Sequence, residues 1–161
     1  MSSKIWKAKS INQLIEQFEN GSLPKEEWTH HAHLIVCAHY LHHFDLYEAT
    51  LHIKLGIIRF NEAISIPNTM DGGYHETLTQ FWIWAVNAFK SEFNGQLDEM
   101  INRLLSSPHS KKYLPFFFYS EDLLFSPKSR VTWVGPDINP MDASLIISDF
   151  PSSIWYGDDL F

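Results

Sequence analysis

The sequence predicts an all-α protein. The expectation is an up-down bundle of four to five helices over residues 10–107, followed by an irregular, Pro- and aromatic-rich wrap over 108–161. Three observations predict it. Apolar residues recur at helical spacing through five successive segments, with Gly, Pro and Asn breakers between them. No segment alternates polar and apolar residues as a half-buried strand would. Beyond Pro108 the periodicity fades, and Pro115, Pro127, Pro136, Pro140 and Pro151 interrupt a tail that contains Phe116-Phe117-Phe118-Tyr119. At 161 residues the chain reads as a single domain, residues 1–161, with no internal repeat and no low-complexity tract.

The first helix is expected over Ser10–Asn20. Ser10 with Gln13 makes a capping box, Ile11, Leu14, Ile15 and Phe18 form the apolar stripe, and Gly21 suits the stop. The second begins either at Pro24, as proline in the first helical position, or after Thr29 as N-cap, and runs to about His42. The third runs from Asp45 as N-cap to Ile64, with Leu46, Ala49, Ile53, Gly56, Ile57, Phe60 and Ile64 at helical spacing. Leu51, Leu55 and Ile58 make its other side apolar too, which predicts a central, largely buried helix. Ser65–Gly73 is a loop by its breakers. The fourth helix, Tyr74–Phe93, carries Leu78, Phe81, Trp82, Ala85, Val86 and Phe89 on one side, and the fifth covers Gln96–Ser106. Ser126-Pro127 starts one more helical turn toward Trp133.

Composition narrows the function classes. Hydrophobic residues make up 45% and charged residues 19%, so the chain can build a core. Twelve basic against 19 acidic residues give a net charge of -7, which lacks the basic stripe of a nucleic-acid binder and the polybasic patch of a membrane-surface protein. The single cysteine, Cys37, removes a disulfide framework and Cys-rich zinc motifs, and reads as a small core residue. Charges interrupt every apolar run, so the expectation is a cytoplasmic protein with no membrane partner. The unusual number is nine histidines, which points to a metal or proton-transfer site.

The histidines can be placed on helix wheels at about 100° per residue. On the second helix His30 and His33 fall beside Leu34, Cys37 and Leu41, the side that must face the core. His39 and His43 project from roughly the opposite side, and His31 and His42 sit on the flank. On the fourth helix His75 lies with Thr79, Trp82 and Val86, while Glu76 turns off the main apolar stripe. Short links favour antiparallel neighbours, so the second and fourth helices should run parallel and start at the same end of the bundle. His30, His33 and His75 should therefore converge there, with Asn61 and Glu62 at the end of the third helix and the Asn68–Gly73 loop over them.

Three converging imidazoles suit a divalent ion such as Zn, Fe or Ni with one coordination position open. Glu76, and after it Glu62, are the candidate catalytic carboxylates. Glu76 is expected to bond a ligand imidazole or a metal-bound water rather than the ion itself. The resulting expectation is a metal-dependent enzyme on a small-molecule substrate, a hydrolase or a non-haem iron oxidase, with the aromatic tail lining its pocket. The rival reading is a non-catalytic helical module with satisfied core histidines, which docks a partner protein or forms a homodimer. Arg130 reads as a surface salt-bridge residue, with a substrate anion as its alternative partner.

Thr29-His30-His31-Ala32-His33-Leu34 and Gly73-Tyr74-His75-Glu76-Thr77 resemble a family of small bacterial proteins of unassigned function, over roughly residues 28–137. The family pattern Thr-His-x-x-His-Leu and Gly-Tyr-His-Glu-Thr falls on His30, His33, His75 and Glu76. Arg59–Ala63, Leu124–Pro127 and Trp133-Val134 extend the likeness. The resemblance implies the same three histidines and no reaction.

Overall fold

The computed structural model describes residues 5–148, with the side chains described as far as Ile146. It is all-helical, with no strand among those residues. Helix α1 spans Ala8–Asn20, α2 His30–His43, α3 Leu46–Ala63, α4 Glu76–Ser91 and α5 Leu97–Leu105. Short helical turns follow: α6 (Leu114–Phe118), α7 (Glu121–Leu124), α8 (Pro127–Val131) and α9 (Leu145–Ser148). No described helix is long and apolar enough to cross a membrane.

Local chemistry accounts for most boundaries. Gly21 ends α1 in the left-handed conformation at φ 76°, and its N–H returns to the last turn of the helix. Thr29, not Pro24, starts α2, because its hydroxyl accepts the Ala32 N–H; Lys25–Glu27 form only a 3₁₀ turn ahead of it. Asp45 caps α3 by accepting the Glu48 N–H at 2.9 Å. Ser126 caps α8 with Pro127 in the first position, as the sequence suggests. The start of α1 differs from expectation. It begins at Ala8 after Lys7, so Ser10 lies inside the helix and makes no capping box.

The second correction concerns which helix is central. α2 packs against α1, α3, α4 and α5 and buries residues on nearly every side, including Leu34, Ile35, Val36, Ala38 and Leu41. α3 touches α2, α1 and α4 with one side only. Its inner residues Ala49, Ile53, Ile57 and Phe60 are buried, but Leu46, Tyr47, Leu51 and Leu55 face solvent. A helix apolar on two sides was expected inside the bundle; here no described residue covers the second side.

The wrap is held to the start of α4 by hydrogen bonds. The Thr77 hydroxyl donates to the Thr132 carbonyl at 3.0 Å and accepts the Val134 N–H at 3.1 Å. The buried Tyr119 hydroxyl donates to the Val134 carbonyl at 2.9 Å. Residues 149–161, which include Pro151 and Trp155, lie outside the described residues.

Candidate functional site

The N-terminal ends of α2 and α4 lie at one end of the bundle and enclose a cavity of about 590 Å³. His30, His33 and His75 all line it, as the parallel α2–α4 arrangement requires. Trp28, Trp82, Ile57, Leu78 and Phe125 supply apolar walls; Asn61, Tyr74, Thr79, Lys112 and Arg130 supply polar ones. Neither Glu76 nor Glu62 lines the cavity.

Each imidazole is fixed by a main-chain carbonyl. His30 donates from Nε2 to Ser110 O at 2.8 Å, His33 from Nδ1 to Thr29 O at 2.8 Å, and His75 from Nε2 to Leu124 O at 2.9 Å. A carbonyl accepts only from an N–H, so each bond sets the tautomer and leaves the other nitrogen with its lone pair. For His30 that nitrogen is Nδ1, and for His33 it is Nε2. Burial pushes His30 down to about 3, with the Ser110 carbonyl opposing it, and pushes His33 down to about 4 against the Thr29 carbonyl. Both rings are therefore neutral across the physiological range. They also lie against indoles: His33 is 3.8 Å from Trp28 between ring centroids, and His30 meets Trp82 edge-on at 4.7 Å.

His75 differs from the helical placement the wheel gave it. It is the N-cap of α4, with φ -133°, and its Nδ1 accepts the Leu78 N–H at 3.2 Å. Both ring nitrogens are committed within the fold, and the side chain is 7% exposed. In this arrangement it has no lone pair left for an ion. Among the described residues no three His, Cys, Asp or Glu side chains group so as to hold a metal. The available donor pair is His30 and His33.

Glu76 has a different task from the one expected. It bonds no imidazole. Its Oε1 pairs with Lys54 Nζ and accepts from Gln80 Nε2, each at 2.5 Å, and its Oε2 accepts from the Tyr74 hydroxyl at 2.7 Å. Partial burial pushes this carboxyl up, but the Lys54, Tyr74 and Gln80 bonds together hold it below the usual carboxylate range. The result is a clasp joining α3, the loop and α4. Glu62 is exposed on the last turn of α3, while its neighbour Asn61 is buried and reaches the cavity.

The loop is shaped by Asn68 and Gly73. Asn68 Oδ1 accepts from Asn61 Nδ2 at 3.0 Å and from the Tyr74 N–H at 2.9 Å, while its Nδ2 donates to Ile58 O at 3.0 Å. Gly73 sits at φ 72°, and a Cβ there would collide with the Pro67 carbonyl oxygen, so any side chain would force the loop open. Arg130 then braces the loop from α8, donating Nη1 to Gly73 O at 3.0 Å and Tyr74 O at 3.3 Å. Its hydrogen bonds go to these carbonyls, and the nearby Asp71 carboxylate favours its charge.

Several lining residues escaped the sequence. The sequence does not single out Lys112, Ile66 or Phe125 as site residues, and only the folded chain brings the Lys112 segment beside α2, whereas Asn61 stands at the end of α3 where the sequence places it. Cys37 lines the cavity one turn beyond His33, and burial pushes its thiol up to about 12, so it is an apolar wall rather than a nucleophile. The chain matches no protein-family model, no curated protein and no solved structure.

Proposed function

We propose that the protein is a metal-dependent enzyme acting on a small organic anion with an apolar body. One observation carries this reading. A single cavity holds two neutral, carbonyl-anchored imidazoles and the cations Lys112 and Arg130 between aromatic walls, with no carboxylate among its lining residues. A ligand histidine must be neutral, and it characteristically donates its other ring N–H to a carbonyl or carboxylate. His30 and His33 meet both conditions and sit one helical turn apart on α2. Two cations in the lining favour an anionic group, and the indoles favour a flat or aliphatic remainder.

Two protein nitrogens leave most of an ion's coordination positions to water and substrate. That openness suits Lewis-acid hydrolysis or, with iron, oxidation. His75 takes a structural part as cap and wall, and the pairing of metal with anion explains how only two histidines suffice.

The test is metal uptake and anion binding measured together. After loading with Zn²⁺ and desalting, the wild-type protein should retain metal, and retain more when benzoate or phenyl phosphate is present. His30→Ala and His33→Ala should lose it, and His75→Ala, once shown to be folded, should keep it. Metal retention in the His33→Ala variant, or no thermal shift with any anion, overturns the reading.

A further inference from the structure

We propose that a second copy of this chain covers the outer face of α3, antiparallel across a two-fold axis. Tyr47, Leu51 and Leu55 are 74%, 43% and 63% exposed and follow one another at four-residue intervals, with Ile58 next in line. Such spacing forms a continuous stripe along one side of a helix. The opposite side of α3 already forms its contacts with α1 and α2, so among the described residues this stripe is the part of the helix left for a partner. A contiguous apolar patch of this kind marks an interaction site, and a two-fold contact requires a surface that complements itself.

Three features of the face are self-complementary. Place Leu51 of one copy opposite Leu55 of the other, which also brings Leu55 opposite Leu51. At about 100° per residue, Glu48 and Arg59 then lie on one flank of the stripe, and the two-fold sets each Glu48 beside the other copy's Arg59. Tyr47 lies on the opposite flank, the side on which Lys54 reaches Glu76. The same operation carries it level with positions 58–59 of the other copy. There the surface has a hollow of about 360 Å³, lined by Ile58, Met70, Arg130 and Val131, so each tyrosine meets a depression on its partner. Lys54 would approach its own copy near the axis, but its ammonium is neutralised by Glu76 at 2.5 Å. The proposal is independent of the chemistry assigned to the cavity.

Sedimentation equilibrium of the full chain tests it. The wild type should dimerise reversibly. Leu51→Glu and Leu55→Glu change exposed residues and leave the helical circular dichroism intact, and each should weaken the dimer by at least about 100-fold. Glu48→Arg should weaken it by about 10-fold through repulsion from Arg59, and adding Arg59→Glu should bring it back to within about 3-fold of wild type. A wild-type protein that stays monomeric overturns the proposal. So does a dimer indifferent to Leu51→Glu, and failure of the double charge swap overturns the antiparallel arrangement.

Discussion

The two ends of α2 carry the same residue type and do different things with it. At the first turn, His30 and His33 are each pinned by a carbonyl, pressed against an indole and open to a cavity that also holds Lys112 and Arg130. At the last turns, His39 and His43 approach each other at 4.6 Å between centroids and His42 approaches His43 at 5.1 Å. His39 Nδ1 is buried without a hydrogen-bond partner among the described residues, while His42 and His43 are exposed. Burial pushes His39 down to about 4, much as it does His33. A lowered pKa therefore does not separate the two clusters. Carbonyl anchoring beside a cation-lined cavity does, because it fixes the tautomer and supplies a place for a ligand.

The comparison is most exposed to failure at His75. His75→Ala removes the α4 cap and strands the Leu124 carbonyl, which should cost about 3 kcal/mol in urea unfolding. His75→Asn, a competent cap, should recover about 1 kcal/mol of that. If His75→Ala leaves stability unchanged and abolishes metal uptake instead, the histidine is a ligand and its capping role is wrong.

The direct contrast is His33→Ala against His43→Ala. The first should weaken Zn²⁺ retention by at least about 100-fold, a change of about 2.7 kcal/mol, while the second should leave it within about twofold. Equal losses would mean that the ion prefers the exposed cluster.

A third test uses pH. His30 and His33 have folded values of about 3 and 4 against an ordinary 6.5. Between those limits the unfolded chain binds protons that the fold does not, so stability rises with pH in that window. The urea midpoint should therefore fall steadily as pH drops from about 6.5 to about 4. His30→Gln should flatten that slope more than His42→Gln. The reverse order would place the stronger desolvation at the wrong end of α2.

The smallest effect belongs to Glu76→Gln. Loss of the partly buried Lys54 pair should cost about 0.5–1 kcal/mol and leave anion affinity unchanged, as read by thermal shift and calorimetry. A large drop in affinity would return this carboxylate to the site.

Periodicity and caps made α2 and most of α3 legible, since Thr29 and Asp45 announce their helices and apolar spacing sets their inner sides. The same wheel turned His30 and His33 toward the cavity and kept His39 out of that cluster, but His39 is as half-buried as they are, with its Nδ1 enclosed. It misplaced His75 because it assumed that the residue lies within the helix; a cap sits outside the regular repeat, and its side chain returns to the backbone. It assigned Glu76 to the histidines because sequence proximity says nothing about Lys54, which arrives from α3. The depth of α3 was unreadable for another reason: two apolar sides are compatible with burial inside one chain or between two. Lys112 came from a contact distant in sequence, which no local pattern encodes.

The close, tilted contact of Trp28 with His33 and the edge contact of Trp82 with His30 give the site an optical consequence. Indole emission is quenched by a neighbouring imidazolium and altered by a bound transition-metal ion. The chain's own ultraviolet fluorescence should therefore register protonation or occupancy at the first turn of α2. Titration with acid or metal can be followed on unlabelled protein, with Trp28→Phe and Trp82→Phe assigning the signal to one imidazole or the other.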